Sequence, residues 1–289
     1  MKIRLSLVHY LNSAPLGWAF LHGPYREQFE VLPSSPALCA DQLLKGEVDI
    51  GLIPSIEYER IPNLRIIPGI SIASLAAVRS ILLIRRKGIG AIRSVALDTS
   101  SRTSVALTKI LLHASMGIRP EFIPYLPDAT SMLDHCDAAL LIGDAALKIQ
   151  LEEYETIDLA EKWVQWQQNP FVFAFWACRA DARLPADLIS IFQEAKRWGL
   201  ERRDEIAAVF SNSLKLSKPF LEDYLRQNIN YDLGMQHING LERFYRLAEQ
   251  EGLIPEFRAP QFLVDKGKSA VGSRESKFRR KAGSTDSGY

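Results

Sequence analysis

A two-lobed α/β protein with a cleft between its lobes is the fold class that this sequence predicts, and three observations predict it. Strand-like runs alternate with helical periods from residue 3 to Pro54. A second strand–helix series runs from Ile92 to Ala177. From Pro185 to about Gly252 the pattern is almost purely helical, and such helices need a sheet surface to cover. Two series followed by returning helices place about residues 1–85 and 180–265 in one lobe and about 90–175 in the other. The chain then crosses between lobes near Arg85–Arg93 and again near Phe175–Arg179.

The elements of the first series follow from local pattern. Ile3, Leu5 and Leu7 alternate with Arg4 and Ser6, so residues 3–9 read as a strand. Pro15 to Leu21 reads as a helix and Phe29 to Leu32 as a strand. In SSPALCADQLLKGEVDIGLIP, Ser35 is an N-cap, Pro36 fits the first helical turn and Gly46 fits the C-terminal stop. Val48 to Ile53 is then a buried strand ended by Pro54. Strand, helix and strand in this rhythm imply a parallel sheet with right-handed crossovers.

The second series repeats the rhythm. Ile92 to Leu97 is a strand, Thr103 to Met116 a helix stopped by Gly117, and Phe122 to Tyr125 a strand. Ala138 to Ile142 is an apolar strand ending in Gly143 and Asp144, and FVFAFWA (171–177) is a last, aromatic one. ADLISIFQEAKRWGLERRDEIAAVF and HINGLERFYRLAEQ supply the late helices. Trp163 and Trp166, three apart in a helical segment, read as packing residues, and Asn169 before Pro170 as a crossover residue.

Composition excludes several function classes. The 289 residues are 47% hydrophobic and 24% charged, which suits an ordinary soluble protein. The formal net charge of +1 hides an asymmetry, because residues 266–289 carry seven Lys/Arg against two acids and leave the rest near −4. Nucleic-acid binding by the folded part therefore lacks electrostatic support. The tail itself, rich in Ser, Gly and Lys/Arg, cannot offset its own ordering entropy and reads as disordered. Nothing approaches the ~18 consecutive apolar residues of a membrane span, and no apolar signal-peptide core follows MKIRLSLVHY, so a cytoplasmic location is expected. Cys39, Cys136 and Cys178 are odd in number and widely spaced, with no CxxC pair, and read as buried structural thiols.

The segment LDTSSRTSVALTKILL (97–112) carries the chemistry. Thr99, Ser100, Ser101, Thr103 and Ser104 put five hydroxyls at one helix entrance, with Arg102 among them, where a single N-cap would suffice. No Gly-rich phosphate loop and no GK[ST] accompany them, which argues against a nucleoside triphosphate. Ligands of open α/β sheets sit outside the carboxyl ends of strands, where free N–H groups and the helix dipole favour an anion. A carboxylate fits, with capping by one hydroxyl and solvation of the rest as the competing explanation. VHYLNSAPL offers a matching entrance in the first lobe through Asn12 and Ser13, although Asn12 could simply cap the helix. Two entrances facing one cleft suit a small dicarboxylate. His9, Asp98, Asp144 and Glu57 are the titratable candidates for a base, and none stands out. Gly46 is explained by helix termination, whereas Gly51 and Gly143, near strand ends, could permit close backbone approach to a ligand.

The segments YLNSAPL, LLKGEVDIGLIPS, VRSILLIRR, LDTSSRTSVALTKILL, LLIGDAAL and LAEKWVQWQQNPFVFAFWA, in that order over about residues 1–255, resemble the chorismate dehydratase family of the futalosine menaquinone pathway. The resemblance implies a type II periplasmic-binding-protein-like fold used as a cytoplasmic lyase that converts chorismate to 3-[(1-carboxyvinyl)oxy]benzoate. Chorismate is one dehydration from an aromatic ring, so the reaction needs no redox cofactor or metal. The resemblance also implies that the substrate's enolpyruvyl carboxylate takes the ring C3 proton, while Asn12 and Ser80 orient the reacting groups. Ser80 could otherwise be a backbone-bonded sheet serine. Ser100, Ser101, Arg102, Thr103, Ser104, Gly143, Asp144 and Asn169 are the expected substrate-binding residues. The sibling enzyme of the same pathway, which cyclises a nucleoside-derived intermediate on the same fold, and a non-catalytic small-anion-binding protein are the competing readings.

Overall fold

The computed structural model describes residues 2–264, so the basic tail expected to be disordered lies outside the described residues. Its strands are β1 (Ile3–Val8), β2 (Phe29–Ser34), β3 (Ile50–Pro54), β4 (Leu64–Ser74), β5 (Ile81–Arg86), β6 (Ser94–Asp98), β7 (Glu121–Tyr125), β8 (Ala138–Ile142), β9 (Tyr154–Asp158) and β10 (Phe171–Arg179). They form two five-stranded sheets of order β2-β1-β3-β10-β4 and β7-β6-β8-β5-β9.

Each sheet has a parallel trio, β2-β1-β3 or β7-β6-β8, built by the strand–helix rhythm of its series. The parallel pairing that the rhythm implied holds within each trio, but each sheet is mixed, because β10 runs antiparallel to β3 and β4, and β5 antiparallel to β8 and β9. These two strands come directly after the chain has passed from one sheet to the other. The expected crossing points shift accordingly. Ile81 to Ile84 are buried inside the second sheet, so the first passage lies before them, beside Arg79 with φ 61°. The whole of Phe171–Arg179 belongs to the first sheet, so the second passage lies near Gln168, with φ 54°.

Local chemistry explains the helices that shape the site. Ser35 accepts a hydrogen bond from the Leu38 N–H, Pro36 occupies the first turn, and Gly46 ends the helix Pro36–Lys45 at φ 72°. Ser101 caps the helix Arg102–Ile110 by accepting from the Ser104 N–H. That helix does not continue regularly to Met116 as expected, because Leu111–Ser115 forms a π turn before Gly117 reverses the chain at φ 68°. The late helices cover the first sheet, where Phe20, Trp176 and Phe192 meet at centroid separations of 5.0–6.3 Å. Trp163 is fully buried against Phe171 and Phe244. All three cysteines are free and buried. Among the described residues, no helix is long and apolar enough to cross a membrane.

Candidate active site

Three chain turns meet where the carboxyl ends of the two sheets face each other. After β1, Leu11–Ser13 makes a 3-10 turn that opens the helix Ala14–His22. After β6, Asp98 to Ser101 leads into Arg102–Ile110. After β8, Gly143 opens a short helix, Gly143–Leu147. Between them lies a cavity whose polar lining comes from Tyr10, Asn12, Ser101 and Ser104, and whose apolar walls include Ile72, Ile81 and Phe173. Gly143 also lines it. A Cβ there would lie 2.8 Å from the Tyr10 ring, and its φ is 57°, so glycine lets the Tyr10 ring close against the second sheet's turn.

Thr99 donates its hydroxyl to the Tyr125 carbonyl at 3.5 Å, and the other four hydroxyls of the 99–104 turn divide into three groups. Ser101 and Ser104 face the cavity with their oxygens 3.0 Å apart. Ser100 donates to Asp98 at 2.7 Å and accepts from the Tyr10 hydroxyl at 3.2 Å, which ties one lobe's turn to the other's. Thr103 is fully buried away from the cavity, where its Oγ1 accepts from the Ile56 N–H at 3.2 Å. Arg102 is likewise engaged elsewhere. Its guanidinium makes two bonds to Asp41, at 2.9 and 3.0 Å, and a third to the buried Glu57 at 3.0 Å. The structure therefore uses Thr103 and Arg102 to join the sheets, with their polar atoms committed to protein partners.

The remaining expected residues are distributed unevenly. Asp144 stands beside Gly143 and accepts from the Leu11 N–H at 3.0 Å, another link between turns. Ser80 is fully buried behind the wall. Its carbonyl accepts from the Gly143 N–H at 2.7 Å and its hydroxyl accepts from Tyr224 at 2.8 Å. Asn169 is outside the cavity lining, donating to the Gln167 carbonyl at 2.9 Å, with its Cβ over Gly240. Gly51 serves packing: a Cβ there would press on the helix Pro36–Lys45 through Cys39 and Leu43. Tyr10, Tyr224 and Tyr231 were not among the expected site residues. Tyr10 lay in a quoted motif, but nothing in LEDYLRQNINYD marks the other two as site residues.

The base candidates separate by environment. His9 is exposed and Glu57 is paired with Arg60 and Arg102. Asp98 is buried, which pushes its carboxyl up, while the Ser100 hydroxyl and N–H oppose that by bonding its Oδ1. Burial pushes Asp144 up to about 6, opposed by the Leu11 N–H. An unfolded Asp titrates near ~4, so between about pH 4 and 6 the folded chain holds a proton that the unfolded chain has released. Stability is therefore expected to fall as pH rises through this window. The Asp144 contribution is roughly 2–3 kcal/mol, given ~1.4 kcal/mol per pH unit and partial exposure. Asp144→Asn keeps an acceptor for Leu11 and should flatten the slope in urea unfolding measured from pH 4 to 6; equal slopes in both proteins would refute this assignment.

Comparisons with known proteins agree with this architecture. The family described as menaquinone biosynthesis matches residues 3–250. The chain is 35% identical over 268 residues to a chorismate dehydratase of Thermus thermophilus, covering 86% of this chain and 95% of that protein. It is 25% identical over 247 residues to a chorismate dehydratase of Campylobacter jejuni, covering 84% and 96%. Among solved structures, a protein from Archaeoglobus fulgidus superposes with a TM-score of 0.71 at 20% identity, covering 88% of this chain and 98% of that one. The periplasmic aliphatic sulphonate binding protein of Escherichia coli superposes with a TM-score of 0.60 at 14% identity, covering 96% and 99%. The fold is thus periplasmic-binding-protein-like, and with a family match over most of its length, the chain belongs to the menaquinone biosynthesis family.

Proposed function

We propose that this protein is a cytoplasmic lyase that dehydrates chorismate to 3-[(1-carboxyvinyl)oxy]benzoate on the futalosine route to menaquinone. The observation that carries the reading is the cavity itself. Asn12 from one helix entrance and Ser101 and Ser104 from the other reach a single space walled by apolar side chains, in a chain 35% identical to a chorismate dehydratase. A small molecule with an anionic group at each end and an apolar ring between them matches that lining. The two lobes, one around each sheet, close on it through the Tyr10–Ser100, Leu11–Asp144 and Arg102–Asp41 contacts.

The chemistry removes one water. The C3–H bond breaks and its proton passes to the substrate's own enolpyruvyl carboxylate. The electron pair forms the new ring double bond as the C4–O bond breaks, and the departing hydroxide takes a proton to leave as water. Negative charge that develops as the proton leaves can spread through the diene to the ring carboxylate. Hydroxyl and N–H donors held around that carboxylate stabilise the transition state more than the ground state. Asn12 and Ser80 orient the reacting groups, and no protein carboxylate or imidazole is required as the principal base.

Incubating the purified protein with chorismate and following the ultraviolet change from cyclohexadiene to substituted benzene tests the reading. One equivalent of 3-[(1-carboxyvinyl)oxy]benzoate should form for each chorismate consumed. Chorismate that binds but persists would return the protein to the class of small-anion-binding proteins. Failure to bind it at all would favour the sibling enzyme and its larger nucleoside-derived substrate.

A further inference from the structure

We propose that Tyr224 is a positioning residue, whose buried phenol donates to Ser80 and fixes where the Ser80 hydroxyl can send its proton. This deepens the reading in which Asn12 and Ser80 orient the substrate, and it rests on that reading. Tyr224 is fully buried, and its hydroxyl donates to the Ser80 Oγ at 2.8 Å across 144 residues of sequence. Burial holds the phenol far above its usual titration range, so it remains an O–H donor at physiological pH. Ser80, having accepted that proton's hydrogen bond, keeps its own hydrogen free to point elsewhere than at Tyr224.

Tyr231, also from the C-terminal helical segment, donates its hydroxyl to the Asn12 backbone carbonyl at 3.0 Å. The two tyrosines therefore act side by side: Tyr231 holds Asn12 by its backbone, and Tyr224 holds Ser80 by its hydroxyl.

The backbone at both ends of this relay is unusual. Tyr224 begins a π turn, Tyr224–Asn228, that widens the end of the helix Lys218–Asp223, and such turns recur at functional sites. Arg79, immediately before Ser80, is a non-glycine residue at φ 61°, held there by Asp158, which accepts from the Val78 and Arg79 N–H groups at 2.9 and 2.6 Å. Left-handed backbone at a bulky residue persists only where its surroundings impose it. A phenylalanine would fill the Tyr224 site without exposing a polar group to burial, so the hydroxyl is there for its bonds.

Tyr224→Phe keeps the ring and removes the bond. It is expected to lower kcat at least ~10-fold while changing the KM for chorismate less than ~2-fold. The double variant Tyr224→Phe/Ser80→Ala should lose no more than Ser80→Ala alone, since a relay acting through Ser80 is not additive with it. As a second arm, 3-fluorotyrosine at position 224 strengthens the donor without altering the fold. It should shift kcat in the native background and leave it unchanged in Ser80→Ala. A native kcat in both Tyr224 substitutions, or losses that multiply in the double variant, would overturn the relay alone. Absence of chorismate dehydration in the unmodified protein would sink the functional reading and the relay with it.

Discussion

Replacing Asn12 or Ser80 with alanine is expected to lower kcat by ~10²-fold or more, the scale on which a mispositioned reacting group slows an enzyme. His9→Gln, Asp98→Asn and Asp144→Asn should each retain most of the rate. The structure supplies the reasons for the contrast. Asn12 lines the cavity, and Ser80 is tied to the lining residue Gly143 and to Tyr224. None of the three titratable residues lines the cavity. His9 faces solvent, Asp98 is held by Ser100, and Asp144 is held by Leu11. A positioned general base contributes ~10²–10⁴-fold, so the two outcomes are far apart. Steady-state kinetics on all five variants, with circular dichroism to verify folding, decides between them. A loss of that size for one titratable residue at unchanged KM would identify a protein base and replace the substrate-assisted scheme.

What could be read from the sequence was the part fixed by neighbours in the chain. Ser35, Pro36 and Gly46 set the limits of one helix without help from elsewhere, and the parallel trios follow from strand–helix repetition. β4 left no continuous signal because Pro68 and Gly69 interrupt it. In the structure they fall in an irregularity of the pairing with β10, between the Ile66 and Ser71 partners, with Gly69 at φ 75°. The directions of β5 and β10 depend on where the chain re-enters each sheet, which no local pattern records. The same division runs through the site. Five hydroxyls at a helix entrance were legible as a concentration of donors. Their separation into cavity-facing Ser101 and Ser104 and lobe-joining Thr103 depends on Ser55 and Ile56, about fifty residues upstream. Arg102 is claimed by Asp41 and Glu57 for the same reason. Tyr224 and Tyr231 reach Ser80 and Asn12 only because the late helices fold back over the first lobe.

That folding back makes Gly199 the position where a single methyl should be most damaging. Gly199 lies in the helix Leu188–Glu201 where it crosses the helix Ala14–His22, and a Cβ built on it would stand 1.8 Å from the Pro15 carbonyl oxygen and 2.7 Å from the carbonyl carbon. Both atoms are backbone, so no side-chain rotation relieves the contact. The helices must separate by more than an ångström. Overpacking of this kind costs ~1–3 kcal/mol, occasionally more, and outweighs the gain of roughly 0.5–1 kcal/mol from replacing a mid-helix glycine by alanine. Pro15 sits three residues after Asn12, at the entrance that presents Asn12 to the cavity, so the strain is directed at the site as well as the core. Gly199→Ala should therefore lower the melting temperature by several degrees and reduce kcat in the same protein. Gly90→Ala is the control, because a Cβ there meets nothing within 4 Å and the position does not have a left-handed φ. Equal melting temperatures for the two variants would mean that the helix Leu188–Glu201 yields without disturbing Pro15, and that the late helices do not fix the geometry of the Asn12 turn.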